Sequence, residues 1–459
     1  MSDSSHLAPA PTGGRGQSKG KLGVAFGRRF FLLLAIGLIW IGPAWTDSRY
    51  VLLMFLWDGA ALVLWAVDLR RLPRPEEIEV RRVWQETLQL RENTQAKLEV
   101  INTGKSDALI RVQEEVPVGL RKEIPELDLR VRAGGKESAA YDVCPRERGD
   151  MNFGTTFLRY QTAWQMAERW AKASLQQKIR IYPNFQDANK DTIYLIRSRQ
   201  VALEKRHKHQ PGQGREFESL REYREADEWR DICWSATARR AKLISKSYQI
   251  ERSQAVWLVL DAGRLLRTRV QGLSKLDYSV GAALALAQVA LYSGDRVGLL
   301  GYGRRVTQRL PPGRGAGHVR ALLDALALLR AEELEADHRR AVETLALLQK
   351  RRSLVVWLTD LAETATTPEV VESAIHLARR HLVLFTVISQ PELRTVARGR
   401  PETAEEMFRQ TAAMEIVQRR DLLLRTLRQQ GALTLEVDPA RLSAAVVNQY
   451  LMAKDRSLI

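Results

Sequence analysis

Two apolar runs separated by four residues constrain this chain more than any other feature. FFLLLAIGLIWIGPAW covers residues 30–45 and YVLLMFLWDGAALVLWAV covers residues 50–67, with only TDSR between them. Each is close to the minimum of roughly 17 residues that a helix needs to cross the apolar core of a bilayer. The spacing predicts a transmembrane helical hairpin over residues 29–70. Lys19, Lys21, Arg28 and Arg29 precede the first run, and Arg70, Arg71 and Arg74 follow the second. By the positive-inside rule both outer ends then lie in the cytoplasm. The expected location is the inner (cytoplasmic) membrane, with two spans and with cytoplasmic soluble domains after about residue 70. A cleaved signal peptide is the rival reading, but no A-x-A site follows the first run and a second apolar run does. Asp58 falls inside the second run, where an ionisable group is costly and often functional. Its blander role is to sit near a thinned region of bilayer or to pair with an interfacial basic residue.

The remaining chain divides by composition. Residues 1–28 open with Ser, Gly and Pro and read as a disordered basic tail. Residues 76–184 carry short alternating stretches, AKLEVINTG, ALIRVQEEVP, YDVCPRERG and QKIRIYPN, which predict a small antiparallel β-sandwich. Residues 185–252 are dense in both charge signs and poor in aliphatics, yet carry Phe217, Tyr223, Trp229 and Trp234. They read as a wrap-around segment whose aromatics pack on the next domain while its charges stay solvated. From 253 to 459, apolar strands such as AVWLVLD, DRVGLLGYG, SLVVWLTD and LVLFTVIS alternate with helical patterns. That alternation predicts a doubly wound parallel α/β sheet with C-terminal helices.

Composition narrows the function classes. The net charge of +17 calls for an anionic partner. Its basic residues are spread over many amphipathic helices without a recognised nucleic-acid module, so anionic membrane lipids are expected rather than nucleic acid. Cys144 and Cys233 are the two cysteines, far apart, and suit free thiols rather than a zinc site or disulfide framework. The chain has no G-x-S-x-G, H-E-x-x-H or P-loop pattern. Gly301 and Gly303 follow a strand but lack the third glycine of a dinucleotide fingerprint.

Two strands end on aspartate: Asp261 after LVL and Asp360 after WLT. Ligands of parallel α/β sheets bind outside the carboxyl ends of the strands. If the two strands are neighbours, their carboxylates face one another and need a cation, a shared proton or an arginine between them. Asp261 capping the following turn is the structural alternative.

This arrangement resembles a von Willebrand factor A domain, whose metal-ion-dependent adhesion site uses Asp-x-Ser-x-Ser after its first strand, a threonine and a later aspartate. Asp261 and Asp360 match the two aspartates, but Gly263 and Leu265 stand at the serine positions and PPGRGAGH offers no threonine. The resemblance therefore implies a degenerate metal site at Asp261 and Asp360, with weak Mg2+ binding or none. Arg264 is the candidate for the replacement charge, through bidentate pairing with a carboxylate.

The upstream stretch GREFESLREYREADEWRDICWSATARRAKLISKSYQIE is similar to the signature of the domain of unknown function 58 family. Gly214, Glu216, Phe217, Leu220, Arg221, Tyr223, Asp227, Arg230, Ile232, Trp234, Ala238 and Arg239 carry the resemblance, and Ala226 departs from the usual glycine. It extends to the hairpin, the strand-rich region and the A-like domain. It implies a membrane-anchored, non-enzymatic partner of a MoxR-type AAA+ ATPase that assembles or activates client complexes, with no cofactor. Arg221, Arg230 and Arg239 are expected to pair with Glu216, Glu222 and Asp227, as a docking element or a structural clasp. A hydrolase using Asp261 and Asp360, or a basic nucleic-acid-binding membrane protein, is the alternative.

Overall fold

The structure is a computed structural model that describes residues 15–45, 47–121, 123–184, 216–224, 229–249, 253–360, 368–456 and 458. The chain forms two compact units, Met1–Tyr182 and Pro183–Ile459.

The first unit is built on eight antiparallel strands: β1 Arg15–Phe26, β2 Ile78–Trp84, β3 Thr94–Asn102, β4 Ala108–Glu114, β5 Glu126–Val131, β6 Lys136–Val143, β7 Gly149–Gln161 and β8 Ala167–Ile181. Their order is β5-β4-β7-β8-β1-β2-β3-β6. Alternate residues of β2, β3, β4, β7 and β8, among them Ile78, Leu98, Ile110, Leu158 and Ala171, share one apolar core. The two halves of the sheet thus close over a common interior, as period-two patterning requires. Arg82 and Glu114 are paired inside the unit, both fully buried. Their remaining hydrogen-bonding capacity is taken up by the Tyr141 hydroxyl, the Leu175 carbonyl and Gln177.

Strand β1 corrects the expectation of a disordered tail over 1–28, because residues 15–26 form a strand. It pairs with both β2 and β8 and joins the two halves of the sheet. Composition speaks for side chains, whereas a bridging strand is held by backbone hydrogen bonds that Gly and Ser supply as well as any residue.

The first apolar run is interrupted. It forms helix α1 Arg28–Gly37, a 3-10 turn Leu38–Trp40 and the short helix α2 Ile41–Ala44. The second is one helix, α3 Arg49–Arg71. Among the described residues α3 is the one helix long and apolar enough to cross a membrane. The expected pair of continuous spans is therefore reduced to one. The break in the first run coincides with Gly37 and the Gly42-Pro43 pair, residues that weaken helix propagation. Trp57 of α3 donates its indole hydrogen to the Leu33 carbonyl of α1 at 2.8 Å. Asp58 lies beside Gly37, whose missing side chain lets the helices approach: a Cβ there would stand 2.8 Å from Trp57 and 3.0 Å from Asp58.

In the second unit, the charged segment contributes the antiparallel pair β9 Glu216–Glu222 and β10 Ile244–Gln249, with a helical turn Trp229–Asp231 and helix α4 Trp234–Arg240 between them. The α/β part follows: β11 Ala255–Asp261, the two-residue strands β12 Arg269–Val270 and β13 Leu273–Ser274, α5 Lys275–Tyr292, β14 Arg296–Tyr302, β15 Val306–Gly313, α6 Ala316–Leu328 and α7 His338–Leu348. It is completed by β16 Leu354–Thr359, α8 Pro368–Ala378, β17 Leu382–Ile388, α9 Pro391–Arg398, α10 Ala404–Gln429, β18 Leu433–Val437 and α11 Leu442–Asp455. The sheet order is β15-β14-β11-β16-β17-β18. All pairings are parallel except β14–β15. Trp257, Val259, Trp357 and Phe385 of the sheet bury against α7, α8 and α10. Helix α11 is tied to the start of β14 through buried Asp295, which accepts from Tyr450 at 2.5 Å and Lys454 at 2.9 Å.

Strand β15 has no counterpart among the strands read from the sequence. Its burial alternates weakly and it ends in two prolines, which a sheet tolerates at an edge.

Candidate functional site at the strand ends

Strands β11 and β16 are hydrogen-bonded neighbours in the middle of the sheet, so Asp261 and Asp360 emerge side by side at its carboxyl edge. Both are buried. Asp261 Oδ1 accepts the Gly263 amide at 2.7 Å, an Asx-type turn that closes the strand end. Its Oδ2 accepts the Thr359 hydroxyl at 2.6 Å. Burial pushes the Asp261 carboxyl above the usual carboxylate range, and the Asp360 charge adds to the push; His338, Thr359 and Gly263 oppose it. Behind it, Trp357 donates to the Tyr302 hydroxyl at 2.7 Å, which lies 2.9 Å from His338 Nδ1.

Asp360 is engaged differently. Its Oδ2 accepts the ammonium of Lys275 and its Oδ1 accepts the Arg420 guanidinium at 2.7 Å. All three side chains are at most 4% exposed. Arg420 also donates to the Ile388 carbonyl at 2.8 Å. Burial pulls the Lys275 ammonium below its ordinary value while Asp360 pushes it back up. Lys275 is the first residue of α5, which begins with a reciprocal Ser274–Asp277 capping box. A cation at a helix N-terminus opposes the helix dipole. The buried carboxylate of Asp360 supplies the compensating charge.

These contacts correct the assignment of the replacement charge. Arg264 pairs with Glu335 at 3.0 Å, both largely exposed, while Lys275 and Arg420 bring the positive charge to Asp360. The donor set does not fit a divalent ion. One carboxylate already binds two cations, and the other accepts an amide and a hydroxyl. Among the described residues no group of three or more His, Cys, Asp or Glu side chains gathers to hold a metal. Nor is a serine readily restored at Gly263, since a Cβ there would stand 2.8 Å from the Ala336 amide nitrogen.

Outside this buried quartet the edge of the sheet is open and charged. A shallow hollow of about 730 Å³ is lined by Arg264, Arg304, Glu333, Glu335, Asp337 and Arg339. The Arg267–Glu333 pair at 3.0 Å is exposed on both sides.

The signature segment behaves otherwise than expected. Trp229 and Trp234 are 70% and 63% exposed rather than packed on the neighbouring domain. Tyr223 is half-buried, with its ring 5.9 Å from Trp229. Arg230 and Arg239 are exposed. Glu222 pairs with Lys242 at 3.1 Å, and Arg221 reaches the Glu222 carbonyl at 3.5 Å. Glu216 lies on β9, where its backbone pairs with Gln249. Gly214, Ala226 and Asp227 lie outside the described residues.

Lys275 and Arg420 escaped the sequence reading. Ser274-x-x-Asp277 is the capping signal that puts Lys275 in the first turn of α5. Arg420 occupies the buried stripe of α10 with Ala413, Leu423, Leu424 and Leu427, and an arginine at an apolar position of a helical stripe marks a buried partner.

Residues 219–425 match the family described as Protein of unknown function DUF58. The chain is similar to uncharacterized proteins of Mycobacterium bovis and Mycobacterium tuberculosis, 26% identical over 183 residues. Those matches cover 39% of this chain and 57% of the relatives' own length. Among solved structures, it is similar to the conserved hypothetical protein BatB from Bacteroides thetaiotaomicron, at 16% identity and a TM-score of 0.31, over 44% of this chain and 100% of that one. Proximal thread matrix protein 1 from the mussel byssus matches at 11% identity and a TM-score of 0.27, over 43% of this chain and 45% of that one.

Proposed function

We propose that this chain is a membrane-anchored, non-enzymatic scaffold whose von Willebrand factor A-like unit docks other proteins. Its partner would be a MoxR-type AAA+ ATPase, acting with it to assemble or activate client complexes. The observation that carries the reading is the neutralisation of Asp360 by Lys275 and Arg420 inside the fold. A strand-end carboxylate held by two internal cations is withdrawn from both metal binding and acid–base work. The exposed tryptophans on the β9–β10 segment support docking, since aromatic side chains rimmed by charge suit protein interfaces. Helix α3 provides the anchor, and the basic residues Arg70, Arg71 and Arg74 at its C-terminal end favour the cytoplasmic side for the chain that follows.

The test is affinity capture with the detergent-solubilised full chain, with and without EDTA, beside the Trp229→Ala/Trp234→Ala variant. The reading expects an AAA+ ATPase to be retained in EDTA and to be lost with the double variant. Capture abolished by EDTA would mean that a metal governs docking, and the absence of any ATPase would sink the partnership.

A further inference from the structure

We infer that the turn joining β7 to β8 is a lipid-headgroup anchor, holding the β-sheet unit against an anionic membrane surface. The inference rests on the reading of α3 as a membrane-spanning helix. Three observations within the first unit lead to it.

First, the turn is fixed to the helix ends. Asp68, in the last turn of α3, is fully buried and accepts the Met166 and Ala167 amides at 3.0 and 2.9 Å and the Thr162 hydroxyl. At the start of α1, the Gly27 amide donates to the Met166 carbonyl at 2.7 Å and the Arg29 amide to the Gln165 carbonyl at 3.3 Å. Gly27 is obligatory there, because a Cβ would fall 2.1 Å from the Gln165 carbonyl oxygen. Arg169 completes the clamp by donating to the Pro73 carbonyl at 2.8 Å.

Second, the turn presents the side chain expected at a headgroup layer. Trp164 is 42% exposed, and the Arg71 guanidinium lies 4.2 Å from its ring centroid. Tryptophan is favoured at the level of the headgroups, where its ring is half in apolar and half in wet surroundings. Arg28, Arg29 and Arg70 are also exposed at the adjoining helix ends. Basic residues beside a spanning helix attract anionic lipid phosphates.

Third, the distances agree. Arg71 lies eleven residues from Ala60, the midpoint of α3. At ~1.5 Å per residue this is about 16 Å, close to half of a hydrocarbon core roughly 30 Å thick. Trp164 therefore stands at the boundary between acyl chains and headgroups.

The experiment uses the full chain in vesicles of phosphatidylcholine with phosphatidylglycerol. With Cys144→Ser and Cys233→Ser removing the native thiols, Ala163→Cys or Leu62→Cys is labelled with an environment-sensitive fluorophore. Lipids carrying a nitroxide at the headgroup or deep in the acyl chain then quench it. The label at 163 is expected to be quenched at least twofold more by the headgroup nitroxide than by the deep one, and the label at 62 the reverse. Adding Trp164→Gln and Arg71→Gln is expected to weaken headgroup quenching at 163 while leaving residue 62 deep. Deep quenching at 62 with no quenching at 163 would overturn the anchor and leave the span intact. No quenching at 62 would overturn the span and the anchor with it.

Discussion

Asp360 serves two buried cations, and this gives an ordering of effects that simple burial does not. In Lys275→Met, Arg420 still neutralises Asp360, so one hydrogen-bonded charge pair remains. In Asp360→Asn, Lys275 loses its carboxylate and Arg420 keeps only the longer contact to Glu436 at 3.9 Å. Removing one partner of a buried pair costs about 3–5 kcal/mol. Lys275→Met is expected at or below the lower end of that range, and Asp360→Asn at or above the upper end. For folding units of this size each 1 kcal/mol lowers the melting temperature by about 2–4 °C. The fall is then on the order of 10 °C or more for Asp360→Asn and roughly half of that for Lys275→Met. Lys275 can escape an uncompensated charge by losing its proton, because burial already holds its pKa below the unfolded value. Between its folded and unfolded pKa the folded state binds fewer protons than the unfolded state, so stability rises with pH there. Asp360→Asn should therefore recover part of its deficit on going from pH 7 to pH 9. The assay is thermal unfolding of the detergent-solubilised chain, followed by tryptophan emission, at both pH values. Equal costs for the two variants, or a deficit in Asp360→Asn that does not shrink with pH, would refute the argument that one carboxylate holds both charges.

Three further outcomes are expected. Asp261→Ala leaves the Gly263 amide without its acceptor and the Thr359 hydroxyl with only the longer contact to the Asp360 carbonyl at 3.4 Å, at a cost of about 1–3 kcal/mol. Asp261→Asn keeps one acceptor and avoids ionisation. Because the folded pKa of Asp261 is raised, its contribution is fullest below its unfolded value and declines as pH rises through the folded one, so the asparagine variant should be the more stable protein at pH 7 and lose that advantage towards pH 4 in unfolding scans. Mg2+ should leave the melting temperature unchanged at millimolar concentration, whereas a site filled at a thousand times its Kd would add about 4.1 kcal/mol, a shift calorimetry would register at once. In the first unit, Arg180 and Lys178 hold the Asp150 carboxyl below its usual range. That stabilisation is present above the unfolded pKa and is lost as pH falls through the folded one, so Asp150→Asn should flatten the acid limb of a stability–pH curve.

The parallel strands were legible because strands buried on both faces read as unbroken apolar runs: β11 and β16 are buried at every position. Asp261 and Asp360 stood out for the same reason, as the charge that ends each run. Strands β1 and β15 were not legible. Their place is set by the backbone edges they complete, and neither Gly-Ser composition nor a terminal Pro-Pro signals that. The tryptophans of the charged segment misled in the opposite direction, because an aromatic among charges suggests burial when read from sequence alone.

The strand-end site shows where a local reading stops. Asp261 and its Gly263 partner are two residues apart, and that contact follows from turn chemistry. The cations on Asp360 lie 85 and 60 residues away in sequence. No spacing rule connects them, but each leaves a local anomaly: a lysine opposing a helix dipole, and an arginine on an apolar stripe. Both are unfavourable for their own helix and intelligible only with a shared buried acceptor. The same two helices that cover the sheet thus deliver its charge balance, so the site and the fold stand or fall together. This makes the coupling between Lys275→Met and Asp360→Asn, rather than either loss alone, the decisive quantity. With Asp360 already replaced, losing the Lys275 charge should stabilise the protein, whereas in the wild type the same change destabilises it. A cycle with no coupling would separate the two residues and remove the charge-balance account of this edge.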